Sequence, residues 1–182
     1  MALLLIMGLT YTLFLWMSRL LHLHICSYNP LSANEDRLHD ISAETPNFDV
    51  IGLIGTQQQR TLEAYDKTWI DRRLYLHSGH SKREHTNRSG GVGILFGSKF
   101  REQQVRRVWT PPAKLQGRGI ACRTTSRVLD ICPIAAYYPP RPHRNVDMPK
   151  YLAACQAITN WIDTVLDQLP KSCTPLLFLD GN

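Results

Sequence analysis

The sequence predicts an α+β domain, on three observations. Short apolar or alternating runs recur at 21–29, 48–56, 91–96 and 105–138. One long amphipathic segment fills 145–169, and a final run, Leu176-Leu177-Phe178-Leu179, ends in Asp180-Gly181-Asn182. At 182 residues and 43% hydrophobic composition, the chain can bury one sizeable core and is too short for two comfortable domains.

Leu21-His22-Leu23-His24-Ile25 alternates apolar and polar residues at period 2, as a strand with one face on the core does. After Pro30, Ser32-Ala33-Asn34-Glu35 fits a capping box with Ser32 as the cap. Leu38 and Ile41 form the buried stripe of the helix that follows, and Pro46 ends it. Phe48 to Thr56 is nearly all apolar and reads as a central strand. From Gln57 to Leu76, apolar Leu62, Tyr65, Trp69 and Ile70 stand at roughly helical spacing, which predicts a helix. Ser78 to Gly90 reads as a loop, its His80 and His85 as solvated side chains.

Strands are expected at Gly91–Phe96, Val105–Trp109, Gly119–Thr124 and Val128–Tyr138, the last broken by Pro133, together an antiparallel meander. From Asn145 to Leu169, Met148, Leu152, Cys155, Ile158, Ile162, Val165 and Leu169 share one helical face; Pro149 sits in the first turn and Pro170 stops the helix. The last apolar run then delivers a carboxylate and a carboxamide to a sheet edge.

A formal charge of +6 favours a polyanionic partner such as nucleic acid. The excess is local: 81–127 holds eleven basic residues against Glu84 and Glu102, a net +9, and leaves the remainder mildly acidic. The basic residues are expected on the exposed face and loops of the meander. Five cysteines without a CxxC pair suggest neither a zinc site nor a complete disulfide framework. Residues 1–16 are uncharged and apolar, short for a membrane-spanning helix. Residues 1–19 therefore read as an apolar leader, either a signal-anchor or a spurious extension ahead of Met17, with a cleaved signal behind both.

Taken in order, the polar tips of these strands resemble the N-terminal half of the endonuclease/exonuclease/phosphatase superfamily. That family comprises four-layer α/β-sandwich enzymes such as apurinic endonucleases and LINE-type retrotransposon endonucleases. Ile25-Cys26-Ser27-Tyr28-Asn29 is similar to its first strand, ending in Trp/Tyr-Asn, and Asp49-Val50-Ile51-Gly52-Leu53 to its second. Gly90-Gly91-Val92 stands where the family has a Gly-Gly-Val strand. Ala136-Tyr137-Tyr138-Pro139 is similar to its Tyr-x-Pro segment, and Leu179-Asp180-Gly181-Asn182 to its Gly-Asp-x-Asn strand, with Leu179 in place of the glycine. The resemblance covers 20–182 as a partial domain whose C-terminal half, with an Asp-His pair, is expected beyond Asn182. Half of a two-sheet sandwich would leave one sheet face without a partner, so a large exposed apolar patch is expected.

The resemblance implies in-line hydrolysis of a phosphodiester, which needs an activated water, a divalent cation and donors for the charge of the transition state. It assigns Asp180 as the base, Asn29 and Asn182 to hold the phosphate and neighbouring side chains, and Tyr137 as a hydrogen-bond donor to a phosphate oxygen. It also implies Mg²⁺. The family's metal-binding glutamate falls at Gly55, because Ile54-Gly55-Thr56 replaces Gln-Glu-Thr. Glycine offers no ligand, and Mg²⁺ relies on only one or two protein carboxylates, so cation binding is expected to be severely weakened and Mg²⁺-dependent cleavage absent. Glu63 is a candidate substitute. The expectation is thus a truncated, degenerate metal-dependent nuclease domain with DNA as partner. Alternatives are an inositol-phosphate or lipid phosphodiesterase of the same fold, held at a membrane by residues 1–16, and a non-catalytic nucleic-acid-binding remnant.

Overall fold

The structure, a computed structural model, describes residues 4–6, 11–15, 21–58, 65–79 and 90–180. Eleven strands and two α-helices are present among them. One sheet holds β1 (Leu4–Ile6), β11 (Thr174–Asp180), β10 (Asp130–Tyr137), β9 (Gly119–Thr125) and β8 (Val105–Trp109), in that order. The other holds β2 (Tyr11–Leu15), β3 (Leu21–Tyr28), β4 (Val50–Ile54), β7 (Val92–Phe96), β6 (Arg73–Ser78) and β5 (Asp66–Ile70). Both sheets are mixed, since β1, β11 and β10 run parallel, as do β3 and β4, and the other neighbours are antiparallel.

Period-2 burial decides how the sheets stack. Leu23, Ile25, Val50, Ile54, Leu74, Leu76, Val92, Ile94 and Phe96 point from one sheet, and Ile120, Cys122, Ile131, Leu176 and Phe178 from the other, into a single shared core. The approach is close enough that a Cβ on Gly52 would lie 2.3 Å from Cγ of Phe178, so only glycine fits there. Residues of opposite parity face outward under a helix. Helix α1 (Glu35–Glu44) puts Leu38 and Ile41 on Ile51, Leu53 and Leu95, while α2 (Met148–Asp167) puts Ile158, Trp161, Ile162 and Val165 on Ala121, Ile134 and Ala136. The result is a four-layer α/β/β/α sandwich, each fully buried aliphatic or aromatic side chain contributing about 1.5–3 kcal/mol.

Helix α1 is held by an arginine rather than by a C-terminal glycine. Arg73, 4% exposed, donates from Nη1 to the carbonyls of Ser42 (3.3 Å) and Thr45 (3.0 Å), from Nη2 to Phe48 O (3.3 Å) and from Nε to Phe96 O (3.1 Å). These acceptors include the orphan carbonyls at the negative end of the helix dipole. Burial lowers the guanidinium's pKa, an effect that Asp49 and Asp71 oppose.

Several expectations are corrected. The segment expected as a helix from Gln57 to Leu76 contains the β5–β6 hairpin over its described part; Leu62 and Glu63 lie outside the described residues. Its two-residue turn puts Asp71 at φ 47° and Arg72 at φ 66°, the backbone of a type I′ hairpin without the glycine or asparagine that usually announces one. Asn34, not Ser32, caps α1: its side chain accepts from the Arg37 amide at 2.9 Å. Pro133 does not break β10. Its missing donor falls on the β9 side, where the pairing passes from Ile131–Thr124 to Ile134–Ala121. The meander is split between sheets, β7 in one and β8, β9 and β10 in the other. The first turns of α2 leave Leu152 57% exposed, so its apolar stripe is buried only from Ile158 onward. Among the described residues the two sheets face each other across one core, so neither lacks the partner whose absence was expected. The leader expected at 1–19 is not among these corrections; within that stretch β1 pairs with β11 and β2 with β3. No helix among the described residues is long and apolar enough to cross a membrane.

Candidate functional site at the sandwich mouth

Strands β3, β4, β10 and β11 all end at one rim of the sandwich, because β3 runs parallel to β4 and β10 parallel to β11. Inward parity continues past the core. Asn29 follows Leu23 and Ile25, Asp180 follows Leu176 and Phe178, and Tyr137 follows Ala135, all facing the gap between the sheets. The chain thereby brings three of the four expected site residues together, from positions up to 151 residues apart. Asn182, the fourth, lies outside the described residues, as do Glu63, His80 and His85.

The link between the sheets is direct. Asn29 Nδ2 donates to Asp180 Oδ2 at 2.9 Å, while Asn29 Oδ1 accepts the Leu31 amide at 3.0 Å. The carboxamide is therefore fixed at both ends, and it orients the carboxylate. Tyr137 stands opposite Asp180 in the β10–β11 register, and the Tyr138 amide donates to the Asp180 carbonyl at 3.0 Å. The Tyr137 residue is 8% exposed and belongs to the shared core.

A fourth polar group belongs here that the sequence reading counted only as part of a basic stretch. Arg118 precedes β9 with the inward parity of Ile120 and Cys122, and its guanidinium lies over the Tyr137 ring, 4.9 Å from the centroid. Its carbonyl accepts the Tyr137 amide at 2.9 Å. Burial holds the guanidinium below its ordinary pKa, an effect that the Tyr137 hydroxyl opposes. Its Nη1 is buried without a hydrogen-bond partner among the described residues. Such a donor is costly unless something accepts from it, and an anionic oxygen is a suitable acceptor. Extending the period-2 pattern of Ile120 and Cys122 back by one step was the signal that could have found it.

Just past the end of β4, Gly55 lies against the Asn29 carboxamide. It adopts φ 79°, and its N–H donates to Gly91 O at 2.9 Å. A Cβ there would lie 2.9 Å from Asn29 Oδ1. The backbone is one that L side chains rarely adopt, and the space is filled by the carboxamide that holds Asp180. A glutamate is thus disfavoured twice over in this conformation, by the backbone and by the contact its Cβ would make. Among the described residues no group of three or more His, Cys, Asp or Glu side chains converges to hold a metal ion. Among the described residues the mouth offers one carboxylate, from Asp180, and none from residue 55, whereas the Mg²⁺ that the resemblance implies is held by one or two protein carboxylates with water and substrate; Glu63 and Asn182 lie outside the described residues.

Of the meander's basic residues, Lys99, Arg101, Arg106, Arg107, Lys114 and Arg127 are exposed as expected, whereas Arg118 and Arg123 are only partly so, and the set divides between the poles. Arg118 is at the mouth. Lys99, Arg101 and Arg127 sit on loops at the opposite pole, where β4 begins and β9 turns into β10. Arg123 is taken by Asp130, with Nε and Nη2 donating at 2.9 and 2.8 Å.

No protein-family model matches the chain, and no curated protein matches its sequence at a significant level. Solved structures do resemble it. An AP endonuclease from Leishmania major superposes over 80% of this chain and 50% of its own, with a TM-score of 0.56 and 11% identity. The catalytic domain of Xenopus laevis APE2 superposes over 87% of this chain and 58% of its own, with a TM-score of 0.57 and 13% identity. The endonuclease domain of the telomere-specific non-LTR retrotransposon TRAS1 shares 12% identity over 86% of this chain and 57% of its own; its TM-score of 0.45 is too low to add weight. At these identities the likeness concerns the fold, which is that of the AP endonucleases, and the chain spans about half their length.

Proposed function

We propose that this chain is a nuclease-fold domain that engages nucleic-acid phosphodiesters at the sandwich mouth but has lost metal-assisted cleavage. The observation that carries the reading is the contrast between two neighbours. Asn29 and Asp180 keep a 2.9 Å hydrogen bond across the sheets, whereas Gly55 beside them offers no ligand, has a positive φ, and would place a Cβ 2.9 Å from Asn29 Oδ1.

The residues at the mouth have complementary roles. The Asp180 carboxylate, oriented by Asn29, accepts a hydrogen bond from a water facing the phosphorus. The Tyr137 hydroxyl donates to a phosphate oxygen, and Arg118, charged at neutral pH as guanidinium groups are, pairs its buried Nη1 with the phosphate's negative charge. Binding and orientation follow from these groups. Turnover does not, because an in-line displacement develops charge that one arginine and one hydroxyl offset only in part. The fold likeness to nucleases and the exposed basic residues support nucleic acid over an inositol or lipid phosphate.

A fluorescence-anisotropy titration of the full chain with duplex DNA at several salt concentrations tests the reading. Affinity is expected to fall steeply with salt, and Arg118→Ala to weaken binding while reducing the log–log salt slope by about one phosphate contact. Binding that ignores salt and Arg118, or that occurs only on phosphoinositide vesicles, would overturn it.

A further inference from the structure

At the pole opposite the mouth the two sheets part to leave a cleft of about 220 Å³. Leu23, Phe100, Val128 and Leu129 supply its apolar lining, Asp49, His22, Gln104 and Ser126 its polar one, and Lys99 borders it. Seven residues of β3 and its continuation separate His22, at this cleft, from Asn29, so the two sites are roughly 20 Å apart. The residues described so far give the cleft no task.

Three features define its chemistry. Its apolar walls and a volume below the roughly 300–1,000 Å³ of drug-sized sites suit a single flat ring. Asp49 is 8% exposed. Its Oδ2 accepts the His24 amide at 3.0 Å, and Lys99 Nζ forms an ion pair with Oδ1 at 3.8 Å, longer than a hydrogen bond, so Oδ1 keeps acceptor capacity for an N–H entering the cleft. Outside, Lys99 is 86% exposed, Arg127 projects from the tight turn closed by the Ser126 amide on the Leu129 carbonyl, and Arg106 reaches the same turn by donating to Thr125 Oγ1 at 2.6 Å. Glu102, the acidic neighbour on the adjoining segment, is taken by Lys67. The rim is therefore cationic, while the interior offers an acceptor.

We propose that this distal cleft binds a nucleotide, with an amino-bearing base inside and its phosphate on the rim. Asp49 Oδ1 accepts from the exocyclic amine, Phe100 and Leu129 cover the ring faces, and Lys99 with Arg127 pairs the phosphate. An alkyl chain would leave the Asp49 carboxylate buried against carbon, which disfavours a lipid. A metal ion would find a single carboxylate with an ammonium beside it. The same chemistry is presented by a free nucleoside monophosphate and by an unpaired base at the end of a strand, and the two are separable by experiment.

The test is a titration of the ¹⁵N-labelled full chain, followed by amide shifts. Cytidine monophosphate is expected to move the amides of Asp49, Phe100, Ser126 and Leu129 and to leave those of Tyr137 and Asp180 in place. It should bind about tenfold more tightly than uridine monophosphate, the ratio that one well-made polar contact to a base supplies. Asp49→Asn, whose Oδ1 can retain the His24 amide while an N–H₂ turns inward, should invert that preference. The double variant Lys99→Glu/Arg127→Glu, at exposed positions that leave the core intact, should lose about tenfold for the monophosphate and little for cytidine itself. A strand with a 5′ cytidine overhang binding more tightly than the free monophosphate identifies the strand end as the ligand; the reverse identifies the free nucleotide. Inorganic phosphate shifting the same amides as strongly as cytidine monophosphate, equal affinity for the two nucleotides, or shifts confined to the mouth would each overturn the proposal. The cleft is remote from Asn29 and Asp180, so its failure leaves the reading of the mouth intact.

Discussion

Replacing Gly55 by alanine is the most informative small change in this fold, because it adds one methyl at the junction of backbone strain and the Asn29–Asp180 link. Holding an L residue at φ 79° costs about 1–2 kcal/mol relative to glycine. The added Cβ would also stand 2.9 Å from Asn29 Oδ1, closer than unstrained contacts allow. That oxygen is the far end of a side chain, but of a short one held by bonds to Leu31 and Asp180 at 3.0 and 2.9 Å. Moving it weakens one of them at about 1 kcal/mol. The expected loss is about 2–3 kcal/mol, or roughly 5–10 °C in the melting temperature of a domain this size. Urea unfolding of four proteins, the wild type, Gly55→Ala, Asn29→Ala and the double variant, separates the two contributions. In the Asn29→Ala background the contact is gone, so Gly55→Ala should cost only the backbone strain, about 1–2 kcal/mol. Equal costs in the two backgrounds, or a Gly55→Ala variant as stable as the wild type, would refute the claim that residue 55 disfavours a side chain.

Arg73→Met keeps the buried stem and removes the donors that hold Ser42, Thr45, Phe48 and Phe96 carbonyls, so it should destabilise the chain by about 3–5 kcal/mol in urea unfolding. A loss below about 1 kcal/mol would show that water replaces the guanidinium without cost. Asp130 has a pKa lowered first by its hydrogen bond from Arg123 and further by Ser172 and Cys173. Its contribution is therefore complete above the unfolded carboxylate value of about 4 and is lost as pH falls through the lower folded value. Stability measured from pH 5 down to pH 2 should decline less in Asp130→Asn than in the wild type, and a steeper decline would give the linkage the wrong sign. The Cys122 and Cys173 thiols are pushed up to about 12 by burial, so both should resist alkylation at pH 8 until the chain unfolds, whereas native-state labelling of Cys122 would show an open core.

Most of the fold is legible where a strand is buried on a regular face. Val50 to Ile54 and Val92 to Phe96 are apolar throughout because each is covered by the second sheet on one side and an outer layer on the other. The same logic fails at 65–78. Tyr65, Trp69 and Ile70 mimic a helical stripe, while the hairpin's turn residues, Asp71 and Arg72, carry no turn signature. Trp69, 45% exposed on an edge strand, has no burial to mark it as part of a sheet. Sheet membership is illegible for a different reason: whether β7 pairs with β8 or with β4 depends on long-range register, which apolar periodicity does not encode. The α2 stripe is overread at Met148 and Leu152, because a 3-and-4 pattern says which face a residue is on, not how far the partner sheet extends beneath it.

The mouth is legible in its strand tips and not beyond them. Asn29, Tyr137 and Asp180 each close an apolar run, so their arrival at one rim follows from strand direction once the pairing is known. Arg118 stands at the start of its strand, within a basic stretch that spreads over both poles, and charge count alone could not single it out. Gly55 was readable as a missing ligand, whereas its φ of 79° and its contact with Asn29 are properties of the folded backbone.

The central claim, phosphodiester engagement without metal-assisted cleavage, is tested most directly by incubating the full chain with an abasic-site duplex, with Mg²⁺ and with EDTA, beside Asp180→Ala. The expected result is salt-sensitive binding of the duplex and no strand scission that distinguishes wild type from Asp180→Ala. Scission that requires Mg²⁺ and disappears in Asp180→Ala would contradict it, and would place a working cation site beside Gly55.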